Sequence, residues 1–259
     1  MSDDAEDRSI LAELVSYARR SGPEMLQFGS LASAYQYRLL YRLWRRYVSP
    51  GARVLDWGAG NGHFSYFLAR AGFKATGFAF TPFPLAARLP ADASYRFVQG
   101  GENEPVRLPF PDASFAAVAS VGVLEHVTET GGNEPASLAE ITRVLEPGGI
   151  FVCWHFPNRW SWIDFAARRI PGKHHHLRLY TRGDVSRMVA SSGLELAETR
   201  RYGLLPRNNA HRLLGAARDT AWAARTWDAV DAALTWPLGG IAQNHYFVAR
   251  KPGIRGAAA

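Results

Sequence analysis

The residues with the clearest chemical potential form a glycine-rich turn, Asp56-Trp-Gly-Ala-Gly-Asn-Gly62. An apolar strand pattern over 53–57 leads into the turn, and a helical pattern over 63–71 follows it. Glycines at alternate positions let the main chain turn sharply and approach a ligand, because no Cβ atoms intervene. A strand, a glycine-rich turn and a helix in this order are typical of nucleotide-binding motifs. The segment therefore predicts a nucleotide-like ligand against bare main chain.

Two common nucleotide-binding loops do not fit this spacing. A phosphate-binding loop ends in Gly-Lys-Ser/Thr, which is absent from the turn. A dinucleotide fold uses Gly-x-Gly-x-x-Gly and an acid about twenty residues further on. The chain has no Asp or Glu between Asp56 and Asp92, so NAD would lack its ribose-binding acid.

The spacing Asp-x-Gly-x-Gly-x-Gly resembles the first motif of the class I S-adenosylmethionine (SAM)-dependent methyltransferases. Three later segments extend the resemblance: Leu108-Pro-Phe-Pro-Asp-Ala-Ser-Phe115, the apolar run that reaches Leu124-Glu-His-Val127, and Arg143-Val-Leu-Glu-Pro-Gly-Gly149. Their order and spacing are similar to the small-molecule branch, which includes ubiquinone-type and natural-product methyltransferases. The resemblance covers residues 50–155 well and the remainder loosely.

Strand and helix patterns alternate from residue 53 onward, which predicts a doubly wound α/β sheet. The predicted strands are 53–57, 74–79, 95–99, 115–121, 150–155, 194–202 and 245–250. The predicted helices are 63–71, 83–89, 135–145, one that follows Thr181, and one or two amphipathic helices within 208–235. The resemblance implies a seven-stranded, mostly parallel sheet in the order 3-2-1-4-5-7-6, with the last strand antiparallel and helices on both faces.

We expect two regions along the chain. Residues 1–50 form an N-terminal helical lid region, with a disordered leader over 1–9 and helices over 10–17 and 31–47. Residues 51–259 form the SAM-binding methyltransferase domain, with an acceptor-cap insertion near 156–180.

The resemblance also implies a set of cofactor contacts. The main chain of the turn would approach SAM, and Asp56 would organise the turn or hold the ammonium of the cofactor through water. The second strand of the family ends in an acid that binds the ribose hydroxyls, but here Ala79 occupies that position. Thr81 or main chain would replace the acid, and Glu102 would bind adenine. The predicted cofactor-binding residues are Asp56, Gly58, Ala59, Gly60, Gly62, Ala79, Thr81, Glu102 and Val121.

Methyl transfer is an in-line displacement, so the protein mainly positions the two reactants and excludes water. An acidic acceptor needs a general base, and histidine titrates in the required range. The candidate bases are His126 after the fourth strand, His155 after the fifth strand, and His176. The candidate acceptor-binding residues are Tyr35, Asn158, Arg178 and Tyr180; Arg178 would bind a carboxylate or phosphate.

A metal site at His174-His175-His176 is not expected. Consecutive histidines on a strand point to alternate sides, and no Cys, Asp or Glu stands nearby at ligand spacing.

Composition limits the classes of protein further. The chain has 259 residues, of which 47% are hydrophobic and 20% charged, as in an ordinary globular protein. The single cysteine, Cys153, excludes an intramolecular disulfide. The acidic N-terminus does not resemble a secretory signal. We therefore expect a cytoplasmic protein, either a monomer or a homodimer.

Several functions remain open at this point. The first is SAM-dependent methylation of a small or lipid-like acceptor, with O-methylation ahead of N- or C-methylation. The second is a non-catalytic scaffold on the same fold, because Ala79 replaces the ribose acid. A nucleic-acid methyltransferase is disfavoured, because Ser120-Val-Gly-Val123 replaces the Asn/Asp-Pro-Pro-Tyr/Phe motif of base-amino methylases. The net charge of +7 also allows peripheral contact with an anionic membrane.

Overall fold

The computed structural model describes residues 2–21, 23–83, 85, 88–89, 94–101, 103–207 and 213–253. The chain divides into two compact units. Unit 1 contains residues 1–46, 157–179 and 201–244, and unit 2 contains residues 47–156, 180–200 and 245–259. The chain crosses between the units several times, so neither unit matches the predicted division at residue 50.

A seven-stranded sheet dominates unit 2, in the order β3-β2-β1-β4-β5-β7-β6. The sheet is mostly parallel and includes an antiparallel pair, which confirms the predicted fold class. The strands are β1 (Arg53–Trp57), β2 (Lys74–Ala79), β3 (Tyr95–Gln99), β4 (Phe115–Val121), β5 (Leu145–Pro157), β6 (Glu195–Tyr202) and β7 (Asn244–Arg250).

The strand register brings the candidate cofactor residues to one edge of this sheet. Trp57 at the end of β1 pairs with Phe78 of β2 on one side and with Ser120 of β4 on the other. Ala79 pairs with Gln99, and Val121 pairs with Trp154, so β3 and β5 end at the same edge. Ligands bind at the carboxyl ends of the strands in sheets of this kind, close to where the strand order reverses.

Three helices of unit 2 follow from local sequence signals. They are α4 (His63–Arg70), α5 (Glu134–Val144) and α7 (Arg182–Ser191). Asn133 caps α5 by accepting a hydrogen bond from the Ala136 N–H, and Thr181 and Asp184 form a capping box at the start of α7. The buried core of the unit includes Leu55, Phe151 and Phe247.

Unit 1 is helical in its described part. Its helices are α1 (Asp3–Ser21), α2 (Leu31–Ala34), α3 (Tyr37–Tyr47, whose last residue belongs to unit 2), α6 (Trp162–Ala167) and α8 (Ala221–Leu238), with 3-10 turns at Pro23–Phe28, Gly215–Asp219 and Gly239–Ile241. The predicted helix over 31–47 is interrupted between α2 and α3. The predicted helices over 83–89 and 208–235 each fall partly outside the described residues.

The prediction of a disordered leader over 1–9 is wrong for the described part of that segment, because α1 begins at Asp3. Acidic residues are favourable in the first turn of a helix, where the helix dipole is positive. The acids of this turn are also paired. The Arg45 guanidinium donates to Glu6 at 2.8 Å and to the buried Asp7 at 2.9 Å.

No described helix combines the length and the apolar character that crossing a membrane requires.

Candidate functional site

The glycine turn of unit 2 has the backbone that the sequence predicts. Gly58, Gly60 and Gly62 have φ values of +72°, +53° and +81°. The Gly58 and Ala59 N–H groups both donate to the Phe78 carbonyl, at 2.8 and 2.9 Å, which fixes the turn to the end of β2. A Cβ atom on Gly60 would meet nothing closer than the Gly58 carbonyl, at 3.7 Å. Main chain at Gly60 is therefore open to a ligand.

The side chain of Val123 fills the space in which a Cβ atom of Gly58 would lie. A Cβ atom at this position would lie 2.5 Å from a methyl carbon of Val123, so no larger residue fits without a shift. Val123 follows β4 and was missed by the sequence argument, which selected Val121. The Val-Gly-Val spacing after the strand offers no signal that the second valine covers the turn.

Asp56, the residue before Trp57 at the end of β1, is buried and contacts α4. Its buried carboxylate accepts a hydrogen bond from the Ser65 hydroxyl of α4 at 2.7 Å. Burial raises the pKa of Asp56 to about 6, although the hydrogen bonds from the Ser65 side chain and main chain lower it. Of the two predicted roles for Asp56, this contact supports the organisation of the turn.

The end of β2 has a distinct arrangement in place of the missing acid. The Gly100 N–H donates to the Ala79 carbonyl at 2.9 Å, and the Gln99 amide donates to the Phe80 carbonyl at 2.9 Å. A Cβ atom on Gly100 would lie 2.5 Å from the Phe78 ring and 3.1 Å from the Phe80 ring. Thr81 is exposed. The predicted adenine residue Glu102 lies outside the described residues.

Three acidic or basic side chains, Glu125, His126 and Glu129, follow β4 in the 3-10 helix Leu124–Thr130. His126 is half-buried, and its Nδ1 lies 2.8 Å from Oε1 of Glu129. Glu125 is buried, and burial raises the pKa of its carboxyl to about 8, with a smaller contribution from the Glu129 charge. Sequence reasoning assigned Glu125 no chemistry, because burial of a carboxyl cannot be read from a pattern.

His155 has an unusual backbone for a residue that is not glycine, with a φ of +68°. Its ring lies edge-on to the ring of Trp154, with 5.8 Å between the ring centroids. Left-handed backbone in a residue with a Cβ atom costs on the order of 1–3 kcal/mol and is concentrated at functional sites. His155 lies inside β5, which continues to Pro157, so the prediction that it follows the fifth strand is wrong.

His176 belongs to unit 1 and forms a dyad with a buried acid. Its Nδ1 lies 2.9 Å from Oδ1 of Asp164, and its main-chain N–H donates to the same oxygen at 3.1 Å. The pKa of Asp164 is lowered overall. Burial raises this pKa, but the hydrogen bonds from His176 and Ser161 outweigh the effect of burial. The dyad holds the imidazole with Nδ1 toward the acid. Asp164 lies twelve residues from His176 in sequence, and the sequence argument missed it.

Three of the four candidate acceptor residues have clear packing roles. Tyr35 is buried in unit 1, with the Arg38 guanidinium 5.0 Å from its ring centroid. Both amide N–H positions of the buried Asn158 are used, since Nδ2 donates to the carbonyls of Gly240 at 3.0 Å and Ala242 at 2.7 Å. We therefore assign Asn158 a structural role, because no donor is left for an acceptor molecule.

Tyr180 lies in unit 2. Its hydroxyl donates to the buried Glu134, and its ring stacks on Phe156 with 4.1 Å between the centroids. Packing therefore explains Tyr180 without a ligand. Arg178 is exposed in unit 1, as an anion-binding side chain requires.

One guanidinium joins two of the sequence motifs. Arg143, which opens the last motif, donates to Glu140 and also to the carbonyls of Leu108 and Phe110, which belong to the Leu-Pro-Phe-Pro motif. The hydrogen bonds and charges of Glu140 and Asp112 raise the pKa of Arg143, although burial lowers it. The spacing between these two motifs thus reflects a physical contact.

Comparisons with known proteins agree with this geometry. A family model described as a methyltransferase domain matches residues 55–153. A demethylmenaquinone methyltransferase of Deinococcus radiodurans is 34% identical over 165 residues, which are 57% of this chain and 66% of that protein. A 2-methyl-6-phytyl-1,4-hydroquinone methyltransferase of Synechocystis is 36% identical over 109 residues, which are 40% of this chain and 32% of that protein.

Solved structures resemble the chain in fold. The phosphoethanolamine N-methyltransferase 2 of Haemonchus contortus in complex with SAM gives a TM-score of 0.58 at 17% identity, covering 83% of this chain and 53% of that one. The cyclase SpnF gives a TM-score of 0.54 at 22% identity, covering 85% and 82%. The ordered motifs, the strand order and the matched domain together lead to one assignment. Residues 55–153 match the methyltransferase domain family, and the motifs and strand order of the chain resemble the class I SAM-dependent methyltransferases of the small-molecule type.

Proposed function

We propose that this protein transfers a methyl group from SAM to a small-molecule acceptor. The observation that carries the proposal is the Gly60 main chain, which has left-handed backbone and an open Cβ direction at the carboxyl edge of a parallel sheet. The relatives support the coarse reaction, since several are named as methyltransferases. The substrates in those names are the substrates of those proteins. The chain spans at most 66% of the length of these relatives.

The residues of the turn fit one end of SAM better than the other. Bare main chain at Gly60 suits the amino-acid tail and the adjoining sugar, and the buried Asp56 joins the end of β1 to α4 through Ser65. The ribose end lacks its acid, because Ala79 stands where a carboxylate would bind both hydroxyls. Loss of a charge-assisted hydrogen bond costs about 1.5–3 kcal/mol, so we expect weaker binding than in relatives with the acid. When bound, SAM supplies an electrophilic methyl carbon.

Titration calorimetry with S-adenosylhomocysteine tests this cofactor assignment. The decisive variant is Gly60→Ala, and the matched control is Gly72→Ala, because both glycines have positive φ and open Cβ directions. The two variants lose similar folding stability, but only the first places a methyl group in the proposed cradle. We expect saturable binding by the wild type and the control, and binding weaker by about tenfold or more in Gly60→Ala. Equal affinities, or a wild type that does not bind, would refute the cofactor assignment.

For the acceptor we propose a hydroxylated aromatic compound whose oxygen is methylated. A phenolic oxygen becomes a strong nucleophile only after it loses its proton, so the reaction needs a base. The dyad of Asp164 and His176 supports this choice, because a carboxylate at Nδ1 fixes the tautomer in which Nε2 accepts a proton. His126 and His155 remain as further candidate bases in unit 2.

A panel of catechols and hydroquinones, with product analysis by mass spectrometry, tests the acceptor and the base together. His176→Gln should lower kcat by about 100-fold, within the range for loss of a general base. Asp164→Asn should lower kcat with little change in KM and shift the pH profile. His175→Gln is the matched control, since it changes the neighbouring imidazole and not the dyad. Unchanged kcat in His176→Gln would rule out this base, and products methylated on carbon would rule out O-methylation.

A non-catalytic function is the second candidate, because of Ala79. The similarity in fold to a cyclase agrees with the rule that this kind of fold hosts several functions. Binding of S-adenosylhomocysteine without turnover of any acceptor in the panel would favour this candidate.

A further inference from the structure

The helix α8 of unit 1 exposes apolar side chains along most of its length. Trp222 is 63% exposed and Trp236 is 91% exposed. Val230, Leu234 and Leu238 are also exposed, and Ile241 continues the surface beyond the helix end. Large apolar side chains concentrated in one exposed patch mark an interaction surface, whereas single exposed ones do not.

The two acids of the same helix, Asp228 and Asp231, point into the protein. Asp231 is buried and accepts hydrogen bonds from the Leu205 N–H at 2.6 Å and from the Arg207 guanidinium. Asp228 accepts from Arg207 at 3.0 Å. Burial lowers the pKa of Arg207, but the charges of Asp231 and Asp228 outweigh burial and raise it.

This network fixes the rotation of α8 about its axis. If α8 were rotated about its axis, the carboxylates of Asp228 and Asp231 would move away from the buried guanidinium of Arg207. An unpaired buried charge costs several kcal/mol. The helix is therefore inverted relative to an ordinary surface helix, with both acids inside and Trp222 and Trp236 outside. The exposure of its apolar face is a consequence of the buried ion pairs.

A second apolar group adjoins the end of α8. Trp160, Phe165 and Ile170 are exposed in and around α6. The Asn158 amide binds the carbonyls of Gly240 and Ala242, which ties the start of this segment to the turn after α8. This contact places the chain just before Trp160 beside the turn that follows α8; we call the two apolar groups together the apolar surface of unit 1.

Positive charge accompanies the apolar surface. The segment 157–179 contains the exposed cations Arg159, Arg168, Arg169, Lys173 and Arg178, and its one acid, Asp164, is buried. The outer side of α8 adds the exposed Arg225. The Arg169 guanidinium lies 3.5 Å from the centroid of the exposed Phe165 ring, so charge and aromatic surface are in direct contact. Exposed aromatic residues among cations complement the interface of a bilayer that contains anionic lipid.

We propose that the apolar surface of unit 1 docks on an anionic lipid bilayer. Trp222 and Trp236 are fourteen positions apart, about 21 Å along the helix, and tryptophan favours the headgroup region. The helix would lie in the plane of the interface. Trp222 and Trp236 would enter the boundary between the headgroups and the acyl chains, and the cations would lie beside lipid phosphates. This proposal concerns unit 1 and does not depend on methyl transfer.

Vesicle co-sedimentation of the full chain without SAM tests the proposal. The vesicles consist of phosphatidylcholine alone or of phosphatidylcholine mixed with phosphatidylglycerol. We expect binding to the mixed vesicles that weakens as salt increases. The double variant Trp222→Ser/Trp236→Ser should bind at least about tenfold more weakly, because two large apolar side chains no longer enter the interface. Leu26→Ser is the matched control, since Leu26 is 70% exposed in unit 1 and outside the apolar surface.

A charge variant separates the two contributions. Arg169→Gln/Lys173→Gln should lose preference for the anionic vesicles and keep the weaker binding to phosphatidylcholine. Circular dichroism checks that each variant is folded. We expect all of them to fold, because the four substituted side chains are exposed.

Three outcomes would overturn the proposal. The first is a wild type that binds neither vesicle type, and the second is a tryptophan variant that binds as the wild type does. The third is a dimer in light scattering that the tryptophan variant converts to a monomer without any vesicle binding. In that case a second copy of the chain covers the apolar surface.

Discussion

Glu125 has an environment that differs strongly from what its residue type implies. Its carboxyl ionises near 4.5 in an unfolded chain, but burial holds its pKa at about 8 in the folded protein. The folded state therefore keeps a proton that the unfolded state releases. The stabilisation is fully present below pH 4.5 and is lost as the pH rises through about 8.

Glu125→Gln should remove this pH dependence. The amide keeps the shape of the protonated carboxyl and does not titrate, so the variant should be more stable than the wild type at pH 8 by on the order of 1–3 kcal/mol. Urea unfolding at several pH values between about 5 and 8 measures the difference. The exposed Glu195→Gln is the control, and parallel stability curves for wild type and Glu125→Gln would contradict the prediction.

Ala79→Asp should restore a ribose contact. The new carboxylate would follow β2 at the position where the family has its acid, and a charge-assisted pair of hydrogen bonds should strengthen S-adenosylhomocysteine binding by about tenfold or more. Calorimetry measures the change. Ala79→Asn places an uncharged side chain of the same shape at this position and is the control. Equal affinities of the wild type and Ala79→Asp would show that the ribose does not reach Ala79.

Single residues were predictable where a motif fixes their chemistry and not where folding supplies a partner. Gly58 and Gly60 follow from strand, turn and helix signals that all lie within ten residues. Asp164 does not, because only the tertiary fold brings it to His176. The backbone of His155 is equally hidden, since a histidine in a strand pattern gives no sign of a positive φ.

At the scale of elements, α8 shows what a periodic pattern can and cannot predict. The spacing of apolar and polar residues within 208–235 indicates a helix, and the described part of that range is helical from Ala221. The pattern does not say which side faces the protein. The side of α8 that faces the protein is determined by Arg207, because its buried charge pairs with Asp228 and Asp231.

Asp231→Ala should therefore destabilise the protein strongly. It leaves the buried Arg207 with one weaker partner, and removal of one member of a buried ion pair costs about 3–5 kcal/mol. Chemical denaturation measures the loss. Asp228→Ala is the comparison and should cost less, because the closer and more buried Asp231 remains. Wild-type stability in Asp231→Ala would show that the pair does not hold the helix.

Across the whole molecule, aromatic residues divide between core and surface in a way that composition cannot reveal. Trp44 is fully buried in α3, whereas Trp222 is largely exposed. Trp44→Ala should cost about 3–5 kcal/mol through a cavity, and Trp222→Ala should change the free energy of unfolding by about 0.5 kcal/mol or less. Thermal and urea unfolding of both variants check this, and similar losses would contradict the assigned burial.

The overall architecture was the most predictable level. Strand order followed from the family resemblance. Six predicted strand ranges agree with β1 to β4, β6 and β7 to within one residue, and the predicted range 150–155 lies inside the longer β5. The division of the chain was not predictable in the same way. A boundary at residue 50 treats the N-terminus as a separate region, but its helices share a unit with segments 157–179 and 201–244.

That interleaving has a consequence for synthesis. The Leu31 N–H donates to Asp219 and the Ser33 hydroxyl to the Arg207 carbonyl, so α2 needs partners that are translated much later. At ~5–20 residues per second, about 10–40 seconds separate the appearance of residue 46 from that of residue 244. Throughout this interval the tyrosines and tryptophan of α3 emerge from the ribosome without the later segments of their unit. The newborn chain is therefore most prone to aggregate before translation ends, and nascent-chain chaperones should raise its soluble yield.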